Sequence, residues 1–344
     1  MNRTSRLTLA RPALAAAIAL ALTACGGSGA DDPTPVTTTT PTSNGSAAPG
    51  IYVTNQDNSI TVFALDATGN VAPTRTIAGA STGLSLPIGL GVDHQGNLYV
   101  ANREGGTVGV FPITANGNVA PTRSITSPGM GSPQGIALGP GDDLYVATCP
   151  NCGGGNGGDT GVFHFAANAT ASDYEIAGSN TGFTVPVGVN LDKDKNVYVA
   201  NAFGGNVAVF AAGNSGNTMP IRSFTMNASG NAQSQSLGAN SGANALAIGM
   251  PGRGVQLYDT TAAGAVDPVA TLATSTGFPL SYPAGVFLDN SVTPPVVYVN
   301  DYGASAIYVI QTAGTAPDLT IASVRTIQGA ATGLSAPLGI TVVH

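Results

Sequence analysis

A chain of 344 residues with 8% charged side chains, 43% hydrophobic residues, 47 Gly, 23 Pro and no Trp is not disordered by charge; Gly and Pro this dense predict an all-β protein. The formal charge of −7, from 11 Lys and Arg against 18 Asp and Glu, supplies no basic patch, so no nucleic-acid partner is expected. Three His and two Glu leave little material for acid–base catalysis, which favours a non-enzymatic role.

The first element is a leader. Arg3, Arg6 and Arg11 precede an apolar run from Ala13 to Ala24. Twelve helical residues rise about 18 Å, short of a hydrocarbon core of about 30 Å, so the run reads as a signal-peptide core rather than a membrane span. Leu22-Thr23-Ala24-Cys25 resembles the bacterial lipobox, in which the Cys thiol receives a diacylglyceryl group. Residues 1–24 are therefore expected to be a signal peptide and Cys25 the lipidation site. Gly26 follows Cys25, where an Asp would signal inner-membrane retention, so the expected address is the cell envelope, at the outer membrane. Residues 25–49 are rich in Gly, Pro and Thr, and form a tether between lipid and folded body.

From residue 50 one pattern recurs. IYVTN (51–55), LYVAN (98–102), LYVAT (144–148), VYVAN (197–201) and VYVND (297–301) are apolar runs with Tyr second, and ALAIG (245–249) is a degenerate copy. The starts are 47, 46, 53, 48 and 52 residues apart, the spacing of a modular array such as propeller blades. Each repeat offers four strands. Strand a precedes the Tyr-Val strand b, as in Ile88-Gly89-Leu90-Gly91-Val92. Strand c is of the Val108-Gly109-Val110-Phe111 type, and strand d follows a Gly-Asn turn and a Pro, as in Pro121 to Ile125. Strand b is apolar on both faces, as a sheet sandwiched between neighbours requires. The first repeat starts at strand b, whereas Leu338 to Val343 is a strand a with nothing after it. The two ends are expected to pair, giving a six-bladed β-propeller over residues 50–344 with no open edge.

These repeats resemble NHL-type and YVTN-type bacterial propellers; Pro87-Ile88-Gly89 through Gly96-Asn97-Leu98-Tyr99-Val100-Ala101-Asn102 carries the likeness best. The resemblance implies the fold. It is shared by lactonases, lyases and binding modules, so it does not choose an activity.

Recurrent residues are read as structural. Arg75, Arg123, Arg222 and Arg325 share a strand-d position, and the Thr-Gly-Leu/Phe segments at 82–84, 181–183, 276–278 and 332–334 are expected to plug the seams between blades. The fifth position of strand b carries Asn55, Asn102, Thr148, Asn201, Gly249 and Asp301. Its amides and carboxylate either bind turn backbone or ring the top of the channel. That face, built from b–c and d–a loops, would also display Asp57, Arg103, Glu104, Arg253 and Tyr302. By resemblance to gluconolactonases, a divalent cation, calcium or magnesium, would fall to Glu104, Asn102, Asn201 and Asp301, all hard oxygen donors. His94, His164 and His344 are too scattered to share a metal. Cys149 and Cys152 open an inserted loop and are expected to form a local disulfide in an oxidising envelope. Asp192-Lys193-Asp194-Lys195 reads as a solvated turn.

The reading favoured by composition is a monomeric, lipid-anchored binding or scaffold protein with an unknown protein or polymer partner and no cofactor. The alternative is a metal-dependent sugar-lactone hydrolase or related lyase.

Overall fold

The computed structural model describes residues 48–150, 152, 157–202, 204–226, 237–238, 245–272, 280–314 and 319–344. The leader, Cys25, nearly all of the tether and the Thr276-Gly277-Phe278 segment lie outside the described residues.

Six antiparallel sheets form the body. Blade 2 shows the unit: strand a at Pro87–Val92, b at Asn97–Asn102, c at Thr107–Pro112 and d at Arg123–Ile125. Strands b are buried along nearly their whole length, because each sheet is covered on both faces. Six apolar clusters fill the seams, and every one joins two adjacent blades. The degenerate run Ala245–Met250 is strand b of blade 5, with Leu246 in place of the usual Tyr. His164 lies within strand c of blade 3 (Gly161–Phe165).

The ring closes as the termini predict. Pro337–Val343 pairs antiparallel with Gly50–Asn55, in the register Ile51 to Val342 and Val53 to Ile340, and becomes strand a of blade 1. The β-propeller is therefore six-bladed, with its C-terminal strand innermost in its first blade.

Two devices lock neighbouring blades. On the outside, the c–d connection of one blade runs beside strand d of the blade before it. Gly69 bridges Ile327, Gly117 bridges Ile77, Gly216 bridges Ile176, and Gly264–Val266 adds a parallel strand to Arg222–Met226. These contacts cover edges that would otherwise be exposed. The strand-d arginines act at the same place. Arg75, Arg123 and Arg222 donate to the phenol oxygens of Tyr52, Tyr99 and Tyr198 in their own blades. Arg75, Arg222 and Arg325 also donate to c–d carbonyls of the next blade, at Ile113, Thr260 and Leu65. Each is a staple that satisfies buried carbonyls.

On the inside, strands a pack backbone against backbone. A Cβ on Gly89 would stand 2.5 Å from the Gln134 carbonyl oxygen, and one on Gly135 2.5 Å from that of Val187. Only glycine permits this approach. The Thr-Gly-Leu segments fold as 3-10 turns at 80–82, 179–181 and 330–332, and Leu84 is buried in the seam between blades 1 and 2.

Candidate functional site

Five of the six innermost strands begin with a Pro-x-Gly triplet: Pro87-Ile88-Gly89, Pro133-Gln134-Gly135, Pro186-Val187-Gly188, Pro283-Ala284-Gly285 and Pro337-Leu338-Gly339. Pro is tolerated because it opens the strand, and Gly admits the next blade. The middle side chain of each triplet lines a cavity of about 430 Å3 at the mouth of the central channel. Four of these side chains are apolar and, with Leu86, make a hydrocarbon floor. Gln134 is the exception.

Polar groups enter from the loops. Gln56, Arg103 and Tyr302 come from the b–c connections of blades 1, 2 and 6, and Tyr282 from the approach to strand a of blade 6. The Tyr302 hydroxyl donates to Gln56 Oε1 at 3.1 Å, joining the first and last blades across the ring closure. The Tyr282 and Tyr302 rings lie 5.7 Å apart and form an aromatic wall. An apolar floor with a few convergent polar groups is the make-up of small-molecule sites.

Gln134 is 4% exposed, and its Nε2 has no hydrogen-bond partner. Buried amide groups are ordinarily paired, so an unpaired donor on a residue that lines a cavity is a candidate ligand contact. Arg103 is half-buried, and burial lowers its guanidinium pKa from the usual value, opposed by the charge of Glu104. An Arg103 Nη donates to the carbonyl of Cys152. Cys149 and Cys152 form a disulfide with Cα atoms 5.4 Å apart, and the Cys149 N–H donates to Ser132 O at 3.2 Å. Cys152 is thus tied to Arg103, and Cys149 to the segment that leads into Gln134.

The sequence-predicted residues divide. Arg103 and Tyr302 line the cavity. Asn55, Asn102, Asn201 and Asp301 are almost wholly buried behind it, where each clamps the loop entering its blade's strand a. Their side-chain oxygens accept the N–H groups of Ser335, Ser85, Thr184 and Tyr282, at 3.1, 3.3, 3.1 and 2.8 Å. Asp301 also takes the N–H groups of Ser281, Gly303 and Ala304. The quartet Glu104, Asn102, Asn201 and Asp301 therefore does not fit a calcium or magnesium ion: three of its oxygen donors already hold backbone, and Glu104 is exposed. Of the described residues, no three His, Cys, Asp or Glu side chains are grouped to hold a metal.

Sequence reasoning missed Gln56, Tyr282 and above all Gln134. The available signal was one amide among the x residues Ile, Gln, Val, Ala and Leu of a repeated triplet. A second polar cluster lies on the opposite face: His164 contacts Asp173 at 2.6 Å and Asp143 at 3.4 Å, and stacks on Tyr174. Tyr174 opens strand d of blade 3, where the other blades named above carry the stapling Arg, so this cluster replaces a staple. His94 sits apart, beside Asp142. The Asp192 turn is as expected, its carboxylate accepting the N–H groups of Asp194 and Asn196.

The chain matches no protein family and no curated protein. Solved structures share its fold. A candidate 6-phosphogluconolactonase from Bacteroides fragilis is 16% identical, with 85% of this chain and 82% of that chain covered and a TM-score of 0.54. A streptogramin B lyase is 17% identical, with 85% of each chain covered and a TM-score of 0.54. A functionally unknown protein from Desulfotomaculum acetoxidans is 11% identical, covering 80% and 79%, with a TM-score of 0.54. Identities this low establish the propeller fold alone. Two of these three proteins nevertheless carry enzyme names, and this overturns the preference for a non-enzymatic role drawn from the scarcity of His and Glu. That preference assumed that catalysis needs titratable side chains, whereas buried amides and a guanidinium also stabilise developing charge.

Proposed function

We propose that the chain is an enzyme that opens a cyclic ester, by hydrolysis or by a related elimination, in the cavity at the channel mouth. The observation that carries this reading is the buried, unpartnered Nε2 of Gln134 above an apolar floor. A fixed amide N–H in a water-poor site is a donor for a carbonyl oxygen that gains charge as the ring opens. In the hydrolytic case water adds to the carbonyl carbon and a tetrahedral oxyanion forms against Gln134. Collapse then breaks the ring C–O bond, and the products are a hydroxy acid as its carboxylate and one proton. No carboxylate is among the described residues that line the cavity, so the water's proton passes to solvent. The lactonase- and lyase-named propellers of like fold support a reaction of this class. The unfitted oxygen quartet gives no metal a part in these steps.

The finer expectations stand with this proposal. The repeats are of the NHL and YVTN type, and a lipid on Cys25 tethers the propeller, as a monomer, to the outer membrane. No described helix is long and apolar enough to cross a membrane. The test is a panel of γ-, δ- and macrocyclic lactones followed by proton release. Turnover of at least one above the uncatalysed rate is expected; none across the panel would refute the reading.

A further inference from the structure

We infer that the cavity takes an uncharged ligand with an alkyl body of several carbons, and that the Leu86 side chain grips that body. The inference rests on the cavity being the substrate site, as proposed above, but not on the reaction performed there.

Four aliphatic lining residues, Leu86, Ile88, Val187 and Leu338, are only half-buried, in a molecule whose blade seams are filled by buried side chains. Their hydrocarbon is left for a ligand to cover, and covering it is favourable. Leu86 carries the sharper signal. Its φ is 46°, in the left-handed region that strains a residue with a Cβ and costs glycine nothing. The peptide is pinned there: Asn58 Oδ1 accepts the Leu86 N–H at 2.7 Å, and Leu86 O accepts the Arg103 N–H at 3.2 Å. Ala336 holds the same place before Pro337, with a φ of 45°, and is not a lining residue. The turn therefore needs no large side chain, and the isobutyl group of Leu86 answers to the cavity it lines. Strained backbone of this kind collects at ligand clamps.

Tyr282 and Tyr302 complete the wall. The Tyr302 N–H donates to Tyr282 O at 2.9 Å, and Asp301 holds the Tyr282 N–H, so both rings are fixed before a ligand arrives. Among the described lining residues Arg103 alone is charged, and it already meets the Cys152 carbonyl and the charge of Glu104. An ion on this floor would lose its water without a compensating partner. A cavity of about 430 Å3 has room for a ring with a short chain. With the ring opening proposed above, the substrate class is a neutral cyclic ester that bears an alkyl chain.

The test titrates the full chain with cyclopentanone and 2-pentylcyclopentanone, neutral rings with no ester to open, read by ligand-observed NMR. The pentyl ketone is expected to bind at least about 30-fold more tightly, as burial of its methylenes requires. A carboxylate at the end of the same chain should cost at least about 10-fold of that gain. Leu86→Gly should weaken the pentyl ketone at least about fourfold with the melting temperature unchanged or raised, and Leu86→Met should retain the affinity. Equal affinities for the two neutral ketones, binding of neither, tighter binding of the carboxylate, or unchanged affinity in Leu86→Gly would overturn the inference. Comparing γ-butyrolactone with γ-nonalactone keeps the two readings apart. A preference for the pentyl ketone without turnover of any lactone would sink the reaction and leave this inference standing. Equal kcat/KM for both lactones, with equal ketone affinities, would sink this inference and leave ring opening standing.

Discussion

At Gly135 the absence of a side chain decides whether two blades can meet. Its virtual Cβ lies 2.5 Å from Val187 O, a backbone atom that cannot swing aside. Gly135→Ala should therefore force strands a of blades 3 and 4 apart and destabilise the fold by about 1–3 kcal/mol, the usual cost of overpacking. A urea titration would show this as a lower midpoint with an unchanged slope. The buried tyrosines make a second residue-scale prediction. Burial, aided by the charge of Asp192, pushes the Tyr198 phenol up to about 12, and burial does the same for Tyr258. A folded-state pKa above the ordinary 10.0 means that the neutral phenol contributes stability. That contribution is complete below about pH 10 and is lost as pH rises towards 12. Tyrosinate absorbance should therefore lag that of the unfolded chain and then rise together with unfolding. A titration that matches free tyrosine would contradict this.

Among the elements, the disulfide of blade 3 is bonded on both sides to segments of the site. The disulfide holds the Cys152 carbonyl that receives Arg103, and Cys149 N–H fastens the same turn to Ser132, two residues before Gln134. Reduction of the disulfide should lower the kcat/KM for lactone opening, because Cys149 and Cys152 hold the segments beside Gln134 and Arg103. Unchanged turnover after reduction would assign the bond to loop stability alone. Strand b was the most legible element in the sequence, because burial on both faces imposes Tyr-Val-Ala runs that repeat. The stapling arginines were legible as structural by recurrence, but their Tyr partners were not: the pairing runs between strands about 23 residues apart, which periodicity does not show. The fifth-position amides were legible as turn binders. Their alternative role as a polar ring fails because each d–a loop enters the sheet with unpaired N–H groups, and the amide oxygen is consumed in pairing them.

For the whole molecule, ring closure was readable from two ends that each lack what the other supplies, and Ile51 faces Val342 accordingly. The face that carries the cavity followed from that closure. Its composition did not, because the x of Pro-x-Gly looks like a variable position until five x side chains are brought to one axis. Only then does a single Gln among aliphatics become a buried donor without a partner. The same geometry makes Gln134 a place where stability and function oppose each other. The most direct measurement compares lactone ring opening and thermal stability in the wild type and in Gln134→Leu. Loss of one oxyanion donor should lower kcat about a hundredfold. Removing an unpaired buried amide should leave the melting temperature unchanged or raised. An undiminished kcat in Gln134→Leu would contradict the account.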